Sequence, residues 1–410
     1  MFKNLGLLAI LCCWVMLVQC SDKSTTSTPT PPRDLTAVEK GLVSSSNKFG
    51  LKLFREVVAQ EKDTNIFISP LSVSMALGMT YNGANGATQE AMQNTLELQG
   101  LSLQDVNESY HSVIDLLRGL DPRVTFQIAN SIWCRQGFAV ESTFINLNQT
   151  YFDAVVQALD FADPSAVVTI NHWVDENTNG KIDKILDDIP ENMVMYLINA
   201  IYFKGTWKLK FDPTKTVAQS FYLSDGSTKT CQMMTMPETD ISYLGTELFS
   251  AIDLKYGSGQ YSMTILLPNS NVGLDAVIAQ LTDESWQAWT EGFRPYEMVV
   301  DLPKFEIEYG TQLKDVLSAL GMGIAFSDFA DFTGINRNGN LTISEVKHKT
   351  YVKVDEEGTE AAAVTSVGIE LTSGPMMFRV DRPFLFVIRE SHSGTILFMG
   401  KIVDPTIKKT

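Results

Sequence analysis

His111, His172, His348 and His392 are the chain's entire supply of imidazole, and none sits in a motif that does chemistry. No G-x-S-x-G elbow presents a nucleophile, no Gly-rich Walker loop cradles phosphates, and no H-E-x-x-H pair offers a zinc site. Asp175, Asn177, Asn179 and Gly180 match the first half of a calcium-binding loop. Leu186, however, occupies the twelfth position, where a bidentate Glu must close the shell. Of the five cysteines, Cys12, Cys13 and Cys20 crowd the start, leaving Cys134 and Cys231 for the body, too few for a disulfide framework or a thiolate metal site. Neither enzymatic activity nor a cofactor nor a metal is expected. The unusual segment is elsewhere: residues 355–377 contain no Lys, Arg or aromatic residue. Within it, Glu356-Glu357-Gly358-Thr359-Glu360-Ala361-Ala362-Ala363-Val364-Thr365 places small, uncharged Thr359, Ala361, Ala363 and Thr365 at alternate positions. Laid out as a strand, that face fits a crowded sheet interior. Read alone, the segment is equally a disordered loop or an Ala-rich helix.

The elements that must position this segment can be read from periodicity. Thr350–Val354 upstream and residues 377–380 downstream read as strands. Phe49, Leu53 and Val57, and then Leu313, Val316, Leu317 and Leu320, have the spacing of buried helical stripes. Ser69-Pro70 is a cap hydroxyl followed by a first-turn proline, with Met75 and Met79 continuing the apolar face. Met298, Val300 and Leu302, then Phe305, Ile307 and Tyr309, alternate as strands, and residues 384–388 and 396–402 flank a turn as a hairpin. Helical and strand patterns interleave with no linker after residue 35, so the chain reads as one α+β body. With 32 basic against 48 acidic side chains the formal charge is −16, and no Lys/Arg block offsets it. That balance excludes nucleic acid as a partner.

Lys3 precedes an apolar run of about 14 residues, too short to span a bilayer but suited to an export signal. Leu17-Val18-Gln19-Cys20 resembles the lipobox of bacterial lipoproteins, with Gln19 departing from the small residue usual there. The expectation is a signal peptide over residues 1–19, lipid attachment at Cys20 with a flexible tether to residue 34, and a folded domain over residues 35–410. The chain is then anchored to a membrane through the lipid at a bacterial envelope or surface, or secreted if Cys20 is not lipidated.

Seven strings in order resemble the serpins, the serine-protease inhibitor superfamily. They are Asn65-Ile-Phe-Ile-Ser-Pro-Leu-Ser72 with Asn82-Gly-Ala-Asn-Gly-Ala-Thr88; Ile170-Asn-His-Trp-Val174 with Thr178-Asn-Gly-Lys-Ile182; and Asn199-Ala-Ile-Tyr-Phe-Lys-Gly-Thr-Trp207. Leu302-Pro-Lys-Phe305, Asp331-Phe-Thr-Gly-Ile335, Arg382-Pro-Phe384 and Phe398-Met-Gly-Lys-Ile402 complete the series, and Glu356-Glu-Gly-Thr-Glu-Ala-Ala-Ala resembles the family's hinge. The resemblance implies a single α+β domain of three β-sheets and eight or nine helices, with an exposed reactive-centre loop over about residues 356–377.

It also implies a mechanism. A target endopeptidase cleaves the loop, remains acylated to it, and is carried across the body as the loop inserts into the central sheet. Fourteen residues after the hinge Gly358, and eleven before Pro383, both counts land on Thr372, which makes Thr372-Ser373 the expected scissile bond. Cleavage after Leu371, or between Met376 and Met377, is the fallback. Thr372, with Leu371 and Ile369 before it, suits an elastase-like or broad-specificity serine protease with a shallow apolar pocket, and a cysteine protease is a further target class. The resemblance assigns Ser69, Ser72, Asn199 and His348 to a cluster beneath the sheet that governs strand opening, and Trp207 to the point where the loop enters. The implied protein is a monomer without a polyanionic cofactor; a non-inhibitory member, acting as a binding or chaperone-like module, is the alternative.

Overall fold

A computed structural model describes residues 32–359 and 376–408. The export signal, Cys20 and its tether lie outside the described residues, as do Glu360, Ala361, Ala362, Ala363, Thr365, Ile369, Leu371, Thr372 and Ser373.

Nine α-helices occur among the described residues: α1 (Ala37–Gln60), α2 (Pro70–Tyr81), α3 (Gly86–Thr95), α4 (Leu103–Arg118), α5 (Ser142–Phe152), α6 (Ser165–Asn177), α7 (Leu274–Ala279), α8 (Asp283–Gly292) and α9 (Lys314–Leu317). The strands are β1 (Ile66–Ile68), β2 (Val124–Arg135), β3 (Val155–Leu159), β4 (Met195–Thr206), β5 (Val217–Tyr222), β6 (Thr228–Gly245), β7 (Phe249–Tyr256), β8 (Tyr261–Pro268), β9 (Arg294–Pro303), β10 (Phe305–Gln312), β11 (Lys347–Asp355), β12 (Gly358–Thr359), β13 (Met377–Arg379), β14 (Phe384–Glu390) and β15 (Ile396–Ile402).

One sheet has the order β10-β11-β12-β4-β2-β3. A second ladder runs β1-β15-β14-β8-β7-β6-β9-β13, with β5 on β6. It divides at the register shift between Met236 and Thr239, where Pro237 cannot donate to the ladder. Beyond that break β6 pairs with β7, and before it with β5, while β9 follows it on both sides, so the long strand serves two sheets and the described residues form three.

The six-stranded sheet is covered on both faces. Tyr196 and Ile198 of β4 join Ile170 and Val174 of α6 in one apolar cluster, while Asn199, the next residue on the opposite face, reaches Met75 of α2. Helix α2 is apolar all round and buried along nearly its whole length, as a helix threaded through a core must be. Its start is the one the Ser-Pro pair predicts: Ser69 is the cap, accepting from the Ser72 amide, and Pro70 opens the helix.

One expected element is shorter than its stripe. The helix read from Leu313, Val316, Leu317 and Leu320 keeps its α geometry only over α9, then passes into a wide π turn over Ser318–Met322. Gly321, at φ +112°, breaks the helical path there. Leu320 is consequently half-buried, whereas Leu313 and Leu317 are fully buried.

Candidate functional site

The hinge enters the six-stranded sheet. Gly358 and Thr359 form β12, pairing antiparallel with Asp355 and Val354 of β11 on one side and with Thr206 and Gly205 of β4 on the other. Only glycine fits at 358, because an added Cβ would lie 2.0 Å from the Gly205 carbonyl oxygen. Thr359 is 2% exposed, and its hydroxyl lies 2.8 Å from that of Tyr256. Tyr256 in turn stacks on Trp207, with ring centroids 4.4 Å apart and planes 12° from parallel. Trp207 Nε1 donates to the Asp355 carbonyl at 2.9 Å, and the Trp207 amide donates to the Glu357 carbonyl at 2.8 Å. Trp207 therefore packs against the residues that flank β12.

Two ion pairs flank this mouth. Lys304 Nζ donates to Glu356 at 2.8 Å, Thr216 Oγ1 donates to the same carboxylate at 2.7 Å, and Lys210 pairs with Glu357. Burial pushes the Glu356 carboxyl up, but the bonds from Lys304 and Thr216 outweigh it and hold the group below its ordinary range. Sequence reasoning missed Tyr256, Thr216, Lys210 and Lys304. Lys304 had a signal, since it lies inside the Leu302-Pro-Lys-Phe305 string. Tyr256 had none, because a tyrosine ending an apolar strand reads as core.

Below β12, among the described residues, β4 and β11 share no ladder of their own; the two residues of β12 alone join them. The gap opens into a cavity of about 390 Å³ lined from both faces of the sheet. Ser69, Ser72, Asn199 and His348 all border it, but they do not form a single network. The Ser69 amide donates to His348 Nε2 at 3.0 Å, Ser69 Oγ donates to the Leu397 carbonyl at 2.8 Å, and the Ser72 amide donates back to Ser69 Oγ. Asn199 belongs to a separate pair, donating to Asn130 Oδ1 at 2.8 Å. Asn130, unforeseen from the sequence, is anchored by its own bond to the Phe152 carbonyl. Burial lowers the His348 pKa to about 4, so at neutral pH the ring is uncharged and its Nε2 lone pair is free to accept.

The family model for Serpin (serine protease inhibitor) matches residues 44–405. The chain belongs to the serpin family. Iripin-5 of Ixodes ricinus is 37% identical over 369 residues, covering 87% of this chain and 93% of that protein. The crystal structure of the thermophilic serpin tengpin in the native state superposes with a TM-score of 0.83 at 32% identity, covering 92% of this chain and 96% of that one. Human thyroxine-binding globulin, solved in complex with its hormone, superposes at 0.82 with 30% identity, covering 90% of this serpin and all of that chain. The relatives from tick and human give no support to a bacterial lipoprotein subtype.

Proposed function

We propose that this serpin inhibits a serine endopeptidase by covalent trapping, with the cleaved loop inserting between β4 and β11. The observation that carries the reading is β12: the first two strand residues of the hinge already occupy the slot, and below them β12 has no neighbouring β4–β11 ladder to displace. In the proposed reaction the protease serine oxygen attacks the Thr372 carbonyl and the peptide bond to Ser373 breaks. The new amine leaves with a proton, and an ester joins the two proteins. Insertion of the following dozen residues adds ladder bonds worth about 0.5–1.5 kcal/mol each, on the order of 10 kcal/mol in all. That equals the whole stability of a typical protease domain, enough to deform its active site before water hydrolyses the ester.

Thr372 with Leu371 and Ile369 before it points to an elastase-like or broad-specificity target. A cysteine endopeptidase would acylate the same carbonyl through a thiolate. The test is to mix the purified protein with pancreatic elastase and, separately, with trypsin, then run denaturing gels and intact mass. A band at the summed mass with elastase, with a released peptide beginning at Ser373, supports trapping and the loop register together. Cleavage with full protease activity remaining sinks the inhibitor reading for that protease and favours a binding module, a role for which the hormone-bound relative is a precedent.

For localisation the proposal is export through residues 1–19 with lipid attachment at Cys20, supported by the apolar run and the isolated cysteine before a Pro-rich tether. Cys20→Ser should move the protein from the detergent phase to the aqueous phase in a phase-partition assay. Unchanged partitioning would remove the anchor from the proposal.

A further inference from the structure

Three segments have the spacing of an acceptor for an asparagine-linked glycan: Asn107-Glu-Ser109, Asn148-Gln-Thr150 and Asn340-Leu-Thr342. The fold treats them differently. Asn107 of α4 is 1% exposed and Asn148 of α5 is fully buried. Both amides belong to one network. Asn107 Nδ2 donates to Asn82 Oδ1 at 2.8 Å, and Asn82 Nδ2 donates to Asn107 Oδ1 at 3.0 Å and to Asn148 Oδ1 at 3.1 Å. Asn148 Nδ2 donates to the Phe144 carbonyl at 3.0 Å. A glycan on either nitrogen would break this network and force hydrated sugars between packed helices, so a chain modified there does not reach this fold.

Asn340 stands in the connection that leads into β11, in neither helix nor strand. The segment alternates: Leu341 and Ile343 pack against the core, while Asn340, Thr342 and Ser344 are exposed. The Ile343 amide fastens it by donating to the Ala325 carbonyl at 3.0 Å. Asn340 has a φ of +59°, which asparagine adopts more readily than most residues. That accounts for an asparagine here, but not for an exposed threonine two residues later.

We propose that Asn340 is the acceptor for an N-linked oligosaccharide, delivered from a polyprenyl-diphosphate carrier during export. Asn340 Nδ2 attacks the first sugar carbon, the nitrogen–carbon bond forms, and the bond from that carbon to the diphosphate oxygen breaks. The carrier diphosphate leaves with the bonding electron pair, and one amide proton is lost to the transferase. The site requires export, not lipid attachment at Cys20.

Its place in the fold gives it a consequence for trapping. In β12, Thr359 pairs with Val354 and Gly205, and in an antiparallel register each later loop residue meets an earlier residue on either neighbour. Continued down the slot without a bulge, that register brings Thr372 level with Leu341 on one side and Asn192 on the other. The ester-bound protease then arrives beside Asn340, and a glycan there crowds its seating, so more of the ester is hydrolysed. This consequence rests on the inhibitor reading above; the modification itself does not.

The full chain is expressed in human cells with its own first 19 residues and, in parallel, with a host secretory signal in their place, so that entry to the secretory route does not hang on the export reading. Intracellular and secreted protein are both treated with peptide N-glycosidase in heavy-oxygen water, which labels each former attachment site, and mapped by peptide mass. The expected result is label at Asn340 and none at Asn107 or Asn148. Asn340→Gln and, independently, Thr342→Ala should each remove the glycan, with circular dichroism confirming the fold. With the host signal, an unlabelled Asn340, or label at Asn107 or Asn148 in folded, secreted chain, overturns the site. With elastase, Asn340→Gln should shift the ratio of covalent complex to cleaved chain several-fold toward complex; an unchanged ratio overturns the crowding alone. A glycosylated chain that traps no protease keeps the site and loses the inhibitor reading, so the two failures are distinguishable.

Discussion

The mouth and the floor of the β4–β11 slot are built on opposite terms. At the mouth, the described polar groups around β12 are tied in: Thr359 to Tyr256, Trp207 to Asp355 and Glu357, Glu356 to Lys304 and Thr216. At the floor, the slot is hollow, Asn199 holds an unpartnered oxygen, and His348 is kept uncharged by burial alone. On the proposed mechanism, a fully bonded end and an under-bonded end mark where the sheet would part. Insertion on that mechanism would start where the geometry is already formed and run toward the region with the least to lose.

The largest effect should come from spoiling the mouth. Thr359→Arg would force a cation into a site that is 2% exposed and faces a tyrosine hydroxyl. Burying an unpaired charge there costs several kcal/mol, so insertion stalls while cleavage proceeds. The expected outcome is loss of the covalent band and complete conversion to cleaved chain on the same gel. A persisting covalent complex would show that the seated hinge is incidental to trapping.

Next is the floor, through pH. The His348 pKa is lowered from 6.5 to about 4 in the folded chain, so between those values the unfolded chain binds the proton more readily than the folded one. Stability therefore rises with pH across this window and is lost as pH falls from 6.5 toward 4, on the order of 3 kcal/mol in total. Protonation also consumes the lone pair that accepts from the Ser69 amide. Unfolding rates measured between pH 7 and pH 4 should increase, and His348→Gln should flatten that dependence. An equally steep profile in the variant would assign the effect to other groups.

A smaller effect isolates a single bond at the mouth. Tyr256→Phe keeps the ring stacked on Trp207 but removes the hydroxyl beside Thr359, at a cost of about 1 kcal/mol. Hydrogen exchange at the amides of Gly358 and Thr359 should quicken several-fold, with little change at His348. Uniform quickening across the sheet would mean that the two ends of the slot do not open independently.

What the sequence made legible follows the same division. Local devices were readable: Ser69 as a cap before Pro70 and the alternation of β9 and β10 each need only a few neighbours to interpret. The resemblance singled out His348, which lies on β11, and Trp207, which directly follows β4. Pairings across long separations were not readable. Asn130 meets Asn199 from 69 residues away and Tyr256 meets Thr359 from 103, and no periodicity encodes either contact. The helix after Leu313 was over-read because a clean apolar stripe does not reveal that Gly321 takes a positive φ. The register at Thr372-Ser373 rests on sequence counts, since those residues lie outside the described ones.

The smallest expected effect tests whether charge or hydrogen bonding closes the mouth. Lys304 is about one-third exposed, so its pairing with the more buried Glu356 contributes only a few tenths of a kcal/mol to about 1 kcal/mol. Lys304→Met removes the ion pair and keeps most of the stem, leaving Thr216, among the described residues, as the remaining side-chain donor to Glu356. Because the folded Glu356 carboxyl is held below its ordinary range, its contribution is present above the unfolded pKa and fades as pH falls through the folded value. The variant should therefore differ from the wild type most at neutral pH and low salt, and converge with it in acid and at high ionic strength. If the difference is insensitive to salt, the lysine acts at the mouth through the packing of its stem, and the hydroxyl pair of Tyr256 and Thr359 is the stronger fastening of the two.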